Sequence, residues 1–371
     1  FYAVRRKSNY YTVSYYLGNG STNAAYQKLT QTVEEGTVVT FAKVPARTGY
    51  VNQGWSSKKN SEKATAKAKC TVNKNITLYA VQKKAVQLTF HRCDGSTWQK
   101  TTLAKGSSYS LPGVRDAEGY TFMGWSTKPM QSVSPQYEAE EKITVNGNVD
   151  LYAVVFNRTT ETDLTEDQLP QVDIYKYKQV IFVGDSRTEF MENVLTGMGE
   201  SATKNVKFVC SAGKGLDWFT TTGWAQLYSI VQHDSNSILS KKTAVIFNFG
   251  VNDLSKSADY AEYYNWIAPQ LKSKGCELYF MSVNPVNRLM LPNAGRADRS
   301  EAAVRSFNQY MKANLSSAYT YIDMYSYLKS TGYSFASDHY GTGTVDDGLH
   351  YTTRTYKRIF AKCMDSLRVP A

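Results

Sequence analysis

Two hydrophobic periods divide the 371-residue chain near residue 157. Before it, apolar and polar positions alternate in short runs at Tyr11–Tyr16, Ile76–Val81, Val86–His91 and Val149–Val154, the pattern of half-buried strands. After Lys178 the runs turn mostly apolar, at Val180–Val183, Val206–Cys210, Ala244–Phe249, Glu277–Val283 and Tyr319–Ile322. Between them, apolar residues recur at helical spacing over Thr188–Met198, Leu216–Leu239, Tyr260–Lys274, Arg299–Asn314 and Thr352–Leu367. Strand and helix in alternation predict a parallel sheet covered on both faces, with its sites outside the carboxyl ends of the strands. Residues 157–177, polar and holding Pro170, read as a linker.

The first part repeats itself. Phe1-Tyr2-Ala3-Val4 returns as Leu78-Tyr79-Ala80-Val81 and as Leu151-Tyr152-Ala153-Val154, a period in the mid-seventies. Gly49-Tyr50 with Gly54-Trp55-Ser56-Ser57-Lys58 matches Gly119-Tyr120 with Gly124-Trp125-Ser126-Thr127-Lys128. Asn19-Gly20 and Asp94-Gly95 occupy equivalent places and predict tight turns with positive φ at both central residues. Trp55 and Trp125 are read as core. The pattern resembles the Listeria–Bacteroides repeat, related to the B repeat of internalin. That resemblance implies two small, mostly-β (β-grasp-like) domains at 8–82 and 83–156, with 1–7 as the tail of a truncated repeat. It also implies a secreted or wall-attached bacterial protein, from which this chain is a fragment.

Composition adds an asymmetry. Residues 1–156 hold 20 Lys and Arg against 10 Asp and Glu, a net +10, while residues 157–371 hold 23 against 22, a net +1. A basic repeat region is suited to an anionic cell-wall polymer. Its lysines are scattered without a nucleic-acid motif, so no nucleic-acid partner is expected. No run of about 18 apolar residues exists, which excludes a helical membrane span. The five cysteines show no C-x-x-C pair, which argues against a zinc site; only Cys70 and Cys93 are candidates for pairing.

The second part carries the candidate chemistry. Gly184-Asp185-Ser186 ends the first strand, Ser211-Ala212-Gly213-Lys214-Gly215 follows the second, Gly250-Val251-Asn252-Asp253 follows the third, and Asp347-Gly348-Leu349-His350 precedes the last helix. A serine hydroxyl needs a base, which His350 supplies near neutral pH, and Asp347 can fix its tautomer. The Ser186 and Gly213 backbone N–H groups and the Asn252 side chain can face a developing oxyanion. His91 and His233 read as surface residues. The adjacent pair Asp338-His339 is poorly disposed for a relay, within a Tyr333–Thr344 stretch read as a mobile loop.

Taken together, the four blocks over residues 178–371 resemble the SGNH (GDSL-type) hydrolase family. The resemblance implies a flavodoxin-like three-layer α/β/α domain that hydrolyses esters with Ser186, His350 and Asp347, needing no metal or organic cofactor. Arg187 and Lys214, beside the Ser and Gly blocks, make the rim cationic and are candidates for substrate binding. The expectation is an extracellular or wall-associated esterase removing acetyl or other short acyl groups from a carbohydrate. An O-acyltransferase with the same triad and a non-catalytic glycan-binding adhesin are the alternatives. A chain beginning near residue 170 is expected to fold alone and keep its kcat on a small ester.

Overall fold

The computed structural model describes residues 8–173, 176–234, 242–291, 299–337 and 346–367. The chain divides into two compact units, the first comprising residues 1–90, 97–109 and 143–150, the second 91–96, 110–142 and 151–371.

In the first unit, strand Tyr10–Tyr16 pairs antiparallel with Gln31–Glu34 and parallel with the start of Ile76–His91. Strand Tyr50–Ser56 lies antiparallel on the other side of Ile76–His91. Alternation puts Val13, Tyr15, Trp55 and Leu78 into one small core beneath the short helix Ala24–Gln27. The Trp55 indole N–H donates to the Ala42 carbonyl at 2.6 Å, so the buried polar edge of the ring is satisfied. The Asn19-Gly20 turn departs from expectation. Only Gly20 has positive φ, at 82°, because the Asn19 side chain accepts from the Ser21 N–H at 3.0 Å and closes the turn from its first position. Asp94-Gly95 does the same, through the Ser96 N–H at 2.8 Å.

The second unit is built on a five-stranded parallel sheet: β1 (Tyr177–Gly184), β2 (Val206–Cys210), β3 (Lys242–Asn248), β4 (Cys276–Met281) and β5 (Tyr319–Ile322), in the order β2-β1-β3-β4-β5. Its helices are α1 (Ser186–Met198), α2 (Trp224–Asp234), α3 (Ser257–Ser273), α4 (Glu301–Asn314), α5 (Met324–Thr331) and α6 (Thr353–Ser366). Successive β1 residues alternate between two cores. Ile181 and Val183 meet Leu227, Ile267 and Phe307 from α2, α3 and α4; Val180 and Phe182 meet Met191, Leu328 and Phe360 from α1, α5 and α6. The three-layer α/β/α expectation is met. Among the described residues no helix is long and apolar enough to cross a membrane.

Three expectations change. The predicted helix Leu216–Leu239 is interrupted: a π-turn at Phe219–Gly223 separates Leu216–Trp218 from α2. Residues 235–241 lie outside the described residues, as does the 1–7 repeat tail. Tyr333–Thr344 does not begin as a loose loop. Tyr333 and Phe335 are buried in the sheet-flanking core, and Phe335–Ser337 pairs antiparallel with Asp346–Tyr351. No disulfide forms among the described cysteines, Cys70 and Cys93 included.

The third change concerns the domain boundaries. Residues 110–142 of the second repeat and the supposed linker at 157–177 belong to the catalytic unit. Met123, Phe156, Leu169 and Val172 join the same core as Phe182 and Phe360. Phe156 lies where a side chain at Gly332 would be, its ring 2.2 Å from the position of a Cβ there. Charge fixes the arrangement. Buried Lys329 sits 2.8 Å from Glu301 and 3.0 Å from Glu138, and its ammonium also donates to the Met123 carbonyl at 2.9 Å. Buried Arg358 donates to Glu161 at 2.9 Å, and Glu161 also accepts from the Ser334 and Thr355 hydroxyls. A cation this deep requires a counter-charge, and Glu138 and Glu161 both come from before residue 170.

A chain beginning near residue 170 would keep Lys329 and Arg358 but lose Glu138 and Glu161. Stripping a buried cation of its partner costs about 3–5 kcal/mol, or about 10 °C in Tm for a domain of this size. A chain starting at residue 83 is expected to keep the melting temperature of the catalytic unit, and one starting at residue 170 to melt at least about 10 °C lower. Equal thermal unfolding of the two by circular dichroism would contradict this packing argument.

Candidate active site

The site forms where three adjacent strands end. Gly184 on β1 pairs with Cys210 of β2 on one side and with Asn248 of β3 on the other. Ser186, Gly213 and Asn252 follow those ends by two, three and four residues, so the sheet register brings their loops together. Gly184 is required at the strand-to-helix turn. A Cβ there would lie 2.0 Å from Thr188 Oγ1 and 2.8 Å from the Asn248 carbonyl. Asp185 caps α1 by accepting from the Arg187 N–H at 3.0 Å. Ser186 is thereby the first residue of the helix, where a backbone N–H has no acceptor within the helix and the dipole favours negative charge.

His350 comes from the strand Asp346–Tyr351 that precedes α6. The Ser186 hydroxyl lies 2.9 Å from His350 Nε2, and His350 Nδ1 lies 2.6 Å from Asp347 Oδ2. A carboxylate oxygen can only accept, so Nδ1 carries the proton and Nε2 is left to accept from Ser186. The other Asp347 oxygen accepts the Leu349 and His350 backbone N–H groups at 2.8 and 2.7 Å. All three side chains are buried, and the Phe190 ring meets His350 edge-on at 4.7 Å. The arrangement can move a proton from the serine to the imidazole without rearranging a heavy atom.

Asn252 is held to the loop that carries Gly213, and that loop to α1. The Asn252 side-chain amide donates to the Lys214 carbonyl at 2.8 Å. Asp253 accepts the Leu216 N–H at 2.9 Å, and Glu189 of α1 accepts the Ala212 N–H at 2.7 Å. Gly213 sits at φ 70°, a left-handed conformation suited to glycine. Arg299 donates to the Asn252 side-chain oxygen at 2.7 Å and to the Val251 carbonyl at 3.1 Å. Its guanidinium therefore fixes which way the amide points: oxygen toward Arg299, nitrogen toward the Gly213 loop.

Arg187 is not a substrate-binding residue. Its side chain is buried, and its guanidinium donates to the carbonyls of Leu349, Asn284 and Pro285 at 3.0, 3.0 and 2.9 Å. Those bonds engage three of its five N–H donors with protein carbonyls, and burial keeps the side chain from the rim. Lys214 is exposed. Asp338 and His339 lie outside the described residues. His91, read as a surface residue, is only half-exposed and stacks on Tyr152 at 4.5 Å. Sequence reading missed Arg299, Glu189 and Asp253; of these, Asp253 had a signal in its place directly after Asn252.

Comparison with known proteins identifies the families the chain resembles. Residues 180–363 match the model of the GDSL-like lipase/acylhydrolase family, and residues 11–81 and 87–154 that of the Listeria-Bacteroides repeat domain. The chain thus carries an SGNH (GDSL-type) hydrolase domain preceded by Listeria–Bacteroides repeats, and is an ester hydrolase of that type. Among solved structures, a Bacteroides fragilis protein assigned to the acylhydrolases is 16% identical with a TM-score of 0.37, covering 54% of this chain and 93% of its own. An acetyl xylan esterase is 11% identical with a TM-score of 0.34, covering 52% and 100%. The catalytic domain of peptidoglycan O-acetyltransferase A from Streptococcus pneumoniae is 16% identical with a TM-score of 0.32, covering 52% and 92%. No curated protein matches the chain.

The cap residue supplies a pH test. Burial pushes the Asp185 carboxyl up to about 6, against the pull of the neighbouring Arg187 guanidinium. A folded-state value above the ordinary carboxylate value of about 3.9 means that ionisation weakens the native state above pH ~6. The penalty disappears as pH falls from ~6 toward ~4. Asp185→Asn keeps a capping oxygen and cannot ionise. It is expected to exceed the native protein in stability by about 2–3 kcal/mol at pH 8, the gap closing between pH ~6 and ~4. Urea unfolding across that range checks it; a gap independent of pH would contradict the assignment.

Proposed function

We propose that Ser186 is the nucleophile, His350 the general base and Asp347 its orienting partner in the hydrolysis of a short-chain, carbohydrate-linked ester. The observation that carries this reading is the hydrogen-bonded line from Ser186 Oγ through His350 to Asp347, with steps of 2.9 and 2.6 Å. His350 Nε2 takes the serine proton as Oγ attacks the ester carbonyl carbon. The carbonyl π pair moves onto oxygen, where the Ser186 and Gly213 N–H groups and the Asn252 amide stabilise it. Collapse expels the alcohol, which receives the proton from His350 and leaves an acyl-serine. Water, deprotonated by the same imidazole, then attacks the acyl-enzyme, and the imidazolium returns that proton to Ser186 Oγ as the acyl–oxygen bond breaks and the acid leaves.

A carbohydrate ester outside the cell is favoured by what surrounds the site. Listeria–Bacteroides repeats occur in surface proteins, and the +10 charge of residues 1–156 suits an anionic wall polymer. Exposed Lys214, on the loop that holds Asn252, supplies cationic character at the rim. Transfer of the acyl group to a sugar hydroxyl shares the first half-reaction and differs only in which oxygen attacks the acyl-serine.

Turnover of p-nitrophenyl acetate is expected to fall at least about 10³-fold in Ser186→Ala; activity within tenfold of native would overturn the nucleophile assignment. Asn252→Ala is expected to lower kcat by about 10²–10³ with little change in KM, since an oxyanion donor acts in the transition state. A raised KM at unchanged kcat would make Asn252 a ground-state contact instead. Acetylated glycans offered with and without an acceptor sugar separate hydrolysis from transfer: free acetate in both supports the hydrolase, acetate only on the acceptor the transferase.

A further inference from the structure

We infer that Asp116, in the second repeat, is a positioning residue for the His350 strand, acting through Asn287. The inference rests on the triad reading above and assigns part of its geometry to a segment far from it in sequence.

The link is a short series of contacts within the catalytic unit. The Asp116 side chain is fully buried, and its Oδ1 accepts from the Asn287 side-chain amide at 2.8 Å. That amide also donates to the Val114 carbonyl at 3.0 Å, so both Asn287 side-chain N–H groups are spent on the repeat segment. The Asn287 backbone N–H then donates to the Gly348 carbonyl at 2.8 Å. Gly348 stands between Asp347 and His350, at φ 67°. A Cβ on it would lie 2.3 Å from the Asn287 carbonyl oxygen and 2.7 Å from Met290 Cβ. The two backbones are in direct contact, and a shift of Asn287 is transmitted to the turn that aims Asp347 at His350.

Asp116 is itself fixed in place. Its Oδ2 accepts from Arg158 at 2.8 Å, and its Oδ1 also accepts the Phe122 N–H at 3.0 Å. The loop around Asn287 has further ties to the repeat: Arg115 donates to the Leu289 carbonyl, and Arg288 pairs with Glu140 at 2.5 Å. On its other side the same loop gives the Asn284 and Pro285 carbonyls to Arg187, the residue after Ser186. Residues 284–291 thus lie between the second repeat and both halves of the Ser–His pair. Asp116 touches neither member of that pair, so its effect is on orientation alone. The second repeat is then a working part of the esterase and not a spacer.

Two variants of the full chain test this, Asn287→Ala and Asp116→Asn, the second keeping size while removing the charge and replacing one of the two acceptor oxygens with a donor. Each is expected to lower kcat on p-nitrophenyl acetate by about tenfold, as for a reacting group displaced by a fraction of an ångström, with KM within about twofold. Each should also shift the acid limb of the kcat/KM profile against pH, which reports His350, while the far-ultraviolet spectrum and melting curve show folded protein at the assay temperature. The double variant should lose no more than the worse single one, since both act through one contact. Native kcat and an unmoved pH profile in the folded variants, or losses that multiply in the double variant, would overturn the inference. Should Asn287→Ala not fold, Asp116→Asn decides alone. Ser186→Ala in the same assay separates the two readings. If it is inactive while the positioning variants behave as native, only this inference fails; if it remains active, the triad reading fails and takes this one with it.

Discussion

Arg187 fastens three separate pieces of chain at the reaction centre. It follows the serine on α1, and it donates to Leu349 on the histidine strand and to Asn284 and Pro285 on the loop after β4. Serine and histidine lie 164 residues apart, and no local rule brings them to hydrogen-bonding distance. A buried guanidinium does so because an unsatisfied one is costly, and only the assembled arrangement offers it three carbonyl oxygens. The guanidinium carbon also lies over the Tyr351 ring, 5.3 Å from its centre, a further contact with the same strand.

The same logic of answered buried charge reaches outward. Lys329 finds Glu301 and Glu138, Arg358 finds Glu161, and Arg158 finds Asp116. Burial opposes the charged form of Glu301, yet the Lys329 ammonium holds its carboxyl below the usual range, so the pair stays ionic inside the core. Three of these carboxylates, Asp116, Glu138 and Glu161, precede β1. A repeat family that reads as a separable module has here become part of the catalytic unit's charge balance.

Much of the site was legible because its chemistry is local. Gly184, Asp185 and Ser186 are adjacent, Asp347 and His350 share one short stretch, and apolar runs alternating with helical spacing give the parallel sheet. What could not be read was pairing at a distance. Arg187 and Lys214 look alike as cations beside motif residues, and only burial shows that one is structural. The segment 157–177 is polar in composition, yet Glu161, Leu169 and Val172 are buried because their partners lie nearly two hundred residues later in Arg358 and α6. Asn-Gly signalled a turn correctly and its torsions incorrectly, since the side chain's own hydrogen bond replaced the second positive φ.

The central claim is that one buried serine, activated by His350, carries the ester chemistry. Covalent labelling with a serine-directed fluorophosphonate, followed by peptide mass spectrometry, reads it directly. The account predicts one adduct per chain, on the peptide holding Gly184, Asp185 and Ser186, formed much more slowly in His350→Ala. An adduct on another serine, or an undiminished labelling rate in His350→Ala, would contradict it.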